Sequence, residues 1–255
     1  MRDYRSPNGE RRLWFEGNEI EEIVAYELER SGMMPTLTSP VVDLEAFLEL
    51  HLGVKLDLYS ELGSHLLGVS GFATGLQPIV KISRTLTLQA HESLAQGGII
   101  GRWRATLAHE AAHVILHRRL VDVPQAQGLL FSQSHESQAG PVVTQCLERD
   151  IWFARGTGDW KEVQANQGMA SLLMPSGPFV TVTREFVGAQ GTDDLLAHIP
   201  TTDTRPFSDL IRGLSVRFQV SREAARIRLN TLGLARSSSE PMLTLDNRPQ
   251  GGPIE

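Results

Sequence analysis

The chain has 255 residues, 41% of them hydrophobic and 21% charged, and carries a formal net charge of -6. That composition belongs to an ordinary globular protein with room for one substantial core or two small ones, and its acidic balance argues against wholesale nucleic-acid binding. A single cysteine, Cys146, excludes an internal disulfide framework, no apolar run approaches the ~18 residues of a membrane span, and MRDYRSPNGERR lacks a signal-peptide core. A cytoplasmic protein without a membrane partner is expected.

In chain order, the first dozen residues are polar, and residues 1–17 are expected to form a flexible, frayed N-terminus. From Asn18, EIEEIVAYELERSG sets Ile20, Ile23, Val24 and Leu28 on one helical face, with Gly32 as the stop. A second helix is expected near Pro40, capped by Ser39 and running through VVDLEAFLELHL to Gly53. VKLDLY then alternates, with Val54, Leu56 and Leu58 on one side, as in a half-buried strand. LLGVSGFA and PIVKIS supply two more short strands around the turn at Thr74-Gly75.

A long helix is expected over residues 98–118, and it holds the chemistry. TLAHEAAHVILH contains H-E-x-x-H at His109, Glu110 and His113, in a helix apolar almost all round. Positions i and i+4 share a helix face, so His109 and His113 can aim two imidazoles at one zinc ion. Glu110 projects to the side, where it can act as general base toward a water. Buried, unpaired imidazoles and a carboxylate would be costly in such a helix, whereas a metal satisfies all three. His117 lies eight residues beyond His109. At about 1.5 Å rise per residue that is roughly 12 Å along the axis, too far for the same site, so His117 is read as a neighbour or surface residue.

Residues 118–158, rich in Gln, Ser and Gly, are expected to form a long surface loop. DWKEVQANQGMASLLMP reads as a helix ending before Pro175. A zinc hydrolase needs a third protein ligand, and the His-after-Gly scheme fails because Leu116 and Arg119 occupy those positions. A glutamate on a second helix is the other common solution, and Glu162 heads this one. Asn166, one turn later, can orient a histidine ligand through its amide. Cys146 is read as a small buried thiol, and His198 in LLAHIP as structural rather than as an oxyanion donor.

HEAAHVILH followed by DWKEVQANQGMASLLMP resembles the ImmA/IrrE family of zinc metallopeptidases, in which a helix of the form E-x-x-A-N-x-F-A-x-x-L-L-M-P follows H-E-x-x-H. Glu162, Ala165, Asn166, Leu172, Leu173, Met174 and Pro175 fall in register, while Gly168 and Met169 depart where the family usually has Phe and Ala. The resemblance covers residues 18–234. It implies an α+β fold, a small zincin-like metallopeptidase domain with the H-E-x-x-H helix packed on a short sheet. It also implies a Zn2+ cofactor and a helix-turn-helix repressor as the protein substrate, cut at one site to derepress a mobile element or stress response. Residues 18–200 are assigned to that domain.

RPFSDLIRGLSVRFQVSREAARIRLNTLGL is the last helical block, so 201–234 is read as a helix-turn-helix-like C-terminal segment and 235–255 as a disordered tail. Ser221 should cap its final helix, with Val220, Ala224, Ile227, Leu229 and Leu232 as the apolar side. Seven arginines against Asp209 and Glu223 give +5 within 32 residues. The plain reading is a solvated basic face; the functional one is partner docking through Arg222 and Arg226, with DNA binding weak at most. The alternative to a peptidase is a non-catalytic, zinc-containing regulator or binding module that contacts a repressor or DNA through these helices. Glu110 favours the peptidase, because a structural site needs no general base.

Overall fold

Two antiparallel strands open the chain, β1 (Arg2–Arg5) and β2 (Arg11–Trp14), in register from Arg2 opposite Trp14 to Arg5 opposite Arg11. The stretch expected to be frayed is thus paired backbone. Ladder hydrogen bonds and the burial of Leu13, 2% exposed, outweigh its polar composition. The computed structural model describes residues 2–5, 11–73, 75–92, 97–120, 142–147, 160–188 and 205–235.

Helix α1 (Gly17–Ser31) buries Ile20, Val24 and Leu28, as its periodicity dictates. It stops at Gly32, whose φ of 70° is the left-handed conformation that glycine adopts at little cost. The next helix starts later than expected. Ser39 and Thr36 are occupied in a turn of their own, and Asp43 accepts the Ala46 N–H as the cap of α2 (Leu44–Ala46), which continues as a π-helical turn over Phe47–His51.

Four strands form the main sheet in the order β3-β5-β4-β6, with β3 (Lys55–Ser60), β4 (Leu66–Phe72), β5 (Ile79–Ser83) and β6 (Val142–Leu147). β3 runs parallel to β5, and β4 is antiparallel to β5 and β6. β6 corrects the reading of 118–158 as loop: VVTQCL pairs along β4, so backbone hydrogen bonds outweigh the polar surroundings of that segment. Two helices were also not legible as such. α3 (Arg84–His91) follows β5 at once, and α6 (Ser176–Gly188) forms despite its β-branched residues because Phe179, Val182 and Val187 are buried.

Helix α4 (Gly97–His117) carries the H-E-x-x-H residues between the sheet and α5 (Trp160–Leu173). A Cβ on Gly68 of β4 would meet Glu110, and one on Gly168 of α5 would meet Ala112. Positions 110 and 112 lie about 200° apart around a helix, so sheet and α5 cover opposite sides of α4. That sandwich explains a helix apolar all round.

The last two helices are α7 (Arg205–Phe218) and α8 (Arg222–Thr231), with Ser221 accepting the Ala224 N–H as the cap of α8. The buried face of α8 is Ala225, Arg228 and Leu229, whereas Ile227, expected on the apolar side, is 51% exposed. The architecture is mixed α+β. Among the described residues no helix is long and apolar enough to cross a membrane.

Candidate metal centre

His109 and His113 stand one turn apart on the buried face of α4, both 0% exposed. Their Nε2 atoms are 3.1 Å apart. Glu162, in the first turn of α5, closes the group from the facing helix: Oε2 is 3.0 Å from His109 Nε2 and Oε1 is 3.3 Å from His113 Nε2. All three donor groups lie within 4.8 Å of one another. Donors held tetrahedrally at zinc–ligand distances are separated by about 3.3 Å. The observed spacings of 3.0, 3.1 and 3.3 Å fit a metal ion at their centre. Two imidazoles and a carboxylate suit several divalent ions, so the donor set could hold a metal ion without specifying which.

The electrostatics couple the three groups to one another. Burial alone would raise the Glu162 pKa, but hydrogen bonds from His109 and His113 outweigh it and hold the carboxyl well below its usual range. Burial works against charge on His109, yet the Glu162 hydrogen bond and the charge of Glu110 raise its pKa. His117 differs: burial, with His113 beside it, pushes its pKa down to about 3, so it is a neutral ring.

Each histidine of the group is held from behind. Asn166 Oδ1 lies 3.1 Å from His109 Nδ1, the orienting contact expected of this amide. His117 Nδ1 lies 2.9 Å from His113 Nδ1, and its Nε2 is 3.2 Å from Gln164 Oε1. His117 is therefore a fully buried neighbour of the group, not a surface residue and not one of its members.

Glu110 is 0% exposed and points to the β4 side, away from α5. A Cβ at Gly68 would sit 2.7 Å from its Oε1 and 2.9 Å from Thr106 Cγ2, so only glycine fits there undisturbed. At the other contact, a Cβ on Gly168 would sit 2.8 Å from the Ala112 Cβ. The helix carrying Glu162 approaches α4 closely because position 168 has no side chain.

Arg222 and Arg226 remain on the exposed face of α8, with Arg226 Nε 3.8 Å from Glu223. They are not brought to the metal group. Arg228, counted with them by charge, is 1% exposed and forms two bonds to Glu21, at 2.5 and 2.8 Å, and one to the Met174 carbonyl at 2.9 Å. The side chain of Cys146, and His198 and residues 236–255 altogether, lie outside the described residues.

Gln164, Gly68 and Arg228 were not singled out from the sequence. A glycine inside a strand signals a close approach, which marks Gly68; Gln164 and Arg228 carry no local signal. No protein-family model matches the chain, and no curated protein matches it.

Proposed function

We propose that this protein is a zinc-dependent, site-specific endopeptidase of the ImmA/IrrE type whose substrate is a helix-turn-helix repressor. The observation that carries the proposal is the convergence of His109, His113 and Glu162, with Glu110 adjacent to a ligand on the same helix. Structural zinc sites are usually closed by four protein ligands, whereas hydrolytic sites keep three and leave a position open. Among the described residues the group has three.

His109, His113 and Glu162 would hold the ion, and bound zinc supplies a Lewis acid that makes water nucleophilic near neutral pH and polarises a carbonyl. The remaining chemistry belongs to the chain. Glu110 accepts the proton of the attacking water and delivers it to the leaving amine. Gly68 leaves the space in which that carboxylate rests, and Asn166 keeps the His109 ring in its ligand orientation. The substrate class rests on the resemblance of HEAAHVILH and EVQANQGMASLLMP to the family, and Arg222 and Arg226 offer exposed cations for an acidic patch on such a partner. A peptidase that recognises a folded partner should cut generic substrates such as casein poorly.

Glu110→Gln tests the reading. Zinc content should be unchanged, because Glu110 is not a ligand, while cleavage of a repressor from the adjacent reading frame falls ~10²–10⁴-fold. A Glu110→Gln protein that cuts as fast as the parent excludes the mechanism.

A further inference from the structure

We propose that His117 and Gln164 are positioning residues: with the Leu13 carbonyl they form a one-way hydrogen-bond chain that keeps the proton of His113 on Nδ1 and its Nε2 lone pair directed at the metal group. The inference rests on the reading of His109, His113 and Glu162 as metal ligands. It adds two residues and the N-terminal strand pair to what builds that site.

The direction of the chain follows from its fixed end. A backbone carbonyl only accepts, so the Gln164 Nε2–H donates to Leu13 O at 3.2 Å on β2. That contact fixes the amide orientation, because the flipped amide would set oxygen against oxygen. Gln164 Oε1 therefore faces His117 Nε2, 3.2 Å away, and can only accept. His117 must then carry its hydrogen on Nε2. The His117 nitrogens face an amide oxygen and another imidazole, with no carboxylate among the described residues in hydrogen-bond contact to hold a second proton on this fully buried ring, so His117 Nδ1 accepts from His113 Nδ1–H across 2.9 Å. With Nδ1 committed to His117, Nε2 is the nitrogen that His113 can offer to a metal, and it lies 3.1 Å from His109 Nε2 and 3.3 Å from Glu162.

Every link is enclosed. His113 and His117 are 0% exposed, Gln164 is 2% and Leu13 is 2%. Enclosed in this way, the contacts hold each ring without competition from bulk water. Asn166 does the same for His109 in a single step, its Oδ1 accepting from Nδ1 at 3.1 Å. The two ligand histidines are thus oriented by α5, which also supplies Glu162; His113 is reached through one extra ring because His117 stands between it and Gln164.

Two measurements test this, the first without metal. Long-range proton–nitrogen spectra of the metal-free full-length protein should show His113 protonated on Nδ1 and His117 on Nε2. The opposite tautomer at either ring overturns the inference whether or not the protein binds zinc. The second is zinc affinity by competition with a chromophoric chelator. His117→Leu should weaken zinc by ~10–100-fold, while His117→Asn, whose side-chain oxygen takes the place of Nδ1 as acceptor, should restore most of the loss. Gln164→Met, two links from the ligand, should weaken it less than His117→Leu. Parent-like affinity in a folded His117→Leu protein, with only thermal stability reduced, means His117 merely fills space. If the parent takes up no zinc, or His109→Ala binds it equally well, the metal reading itself fails, a result distinct from either of these.

Discussion

Gly68 marks a close approach of the sheet to the helix that carries Glu110, and a single methyl group there has a readable consequence. The nearest atoms to that methyl would be the Glu110 carboxylate and the Thr106 methyl, at 2.7 and 2.9 Å. The carboxylate is the end of a flexible side chain, so Gly68→Ala should displace it rather than unfold the protein. Misplacing a catalytic group by about 1 Å costs roughly 10²-fold in rate. Gly68→Ala is therefore expected to keep its zinc and lose cleavage of the repressor to about that extent, measured as kcat at saturating substrate. Unchanged kcat would mean that Glu110 has another resting place. His109 and His113 were legible as a pair because helical geometry alone makes i and i+4 neighbours. Glu162 was legible from its place at the head of an apolar helix and from the resemblance. Gln164 and His117 were not, because their contact spans 47 positions and depends on how α4 and α5 cross.

The crossing of α4 and α5 brings Glu162 to the two histidines, and it is tight where Gly168 faces Ala112. Gly168→Ala sets two effects against each other. Alanine in place of glycine inside a helix gains about 0.5–1 kcal/mol, while overpacking a tight contact costs about 1–3 kcal/mol. With 2.8 Å between the two Cβ atoms, overpacking wins. A net loss of about 1 kcal/mol is expected by urea denaturation, together with weaker zinc binding as Glu162 is pushed away. A stabilised Gly168→Ala protein would mean that the helices can separate freely. With no side chain at position 168, the two helices cross closely there. Elements with strong periodicity, such as α1 and β3, could be read from the sequence. β6 and α6 could not, since one forms by pairing with a distant strand and the other by burying residues that do not favour helices on their own.

The C-terminal helices belong to the same packed body as α4. Arg228 of α8 is joined to Glu21 of α1, and Glu21 also accepts from Ser171 of α5 at 2.7 Å. The turn before α8 rests on α4, where a Cβ at Gly101 would lie 3.3 Å from the Ser221 nitrogen. By charge alone Arg228 belonged with the solvated arginines; only the fold shows it paired and enclosed. Removing one member of a buried pair costs about 3–5 kcal/mol, toward the lower end here because Glu21 is partly exposed. Glu21→Ala should therefore destabilise the whole protein by about 3 kcal/mol in one cooperative urea transition. A separate early transition for α7 and α8 would show that they form an independent module, which is what the DNA-binding alternative needs. The most direct measurement on the site is the metal content of purified full-length protein by plasma mass spectrometry, parent beside Glu162→Ala. The parent should carry about one zinc ion per chain and Glu162→Ala almost none, since two histidines alone hold zinc weakly. Full zinc occupancy in Glu162→Ala, or a parent free of zinc after purification without chelators, would contradict the site described.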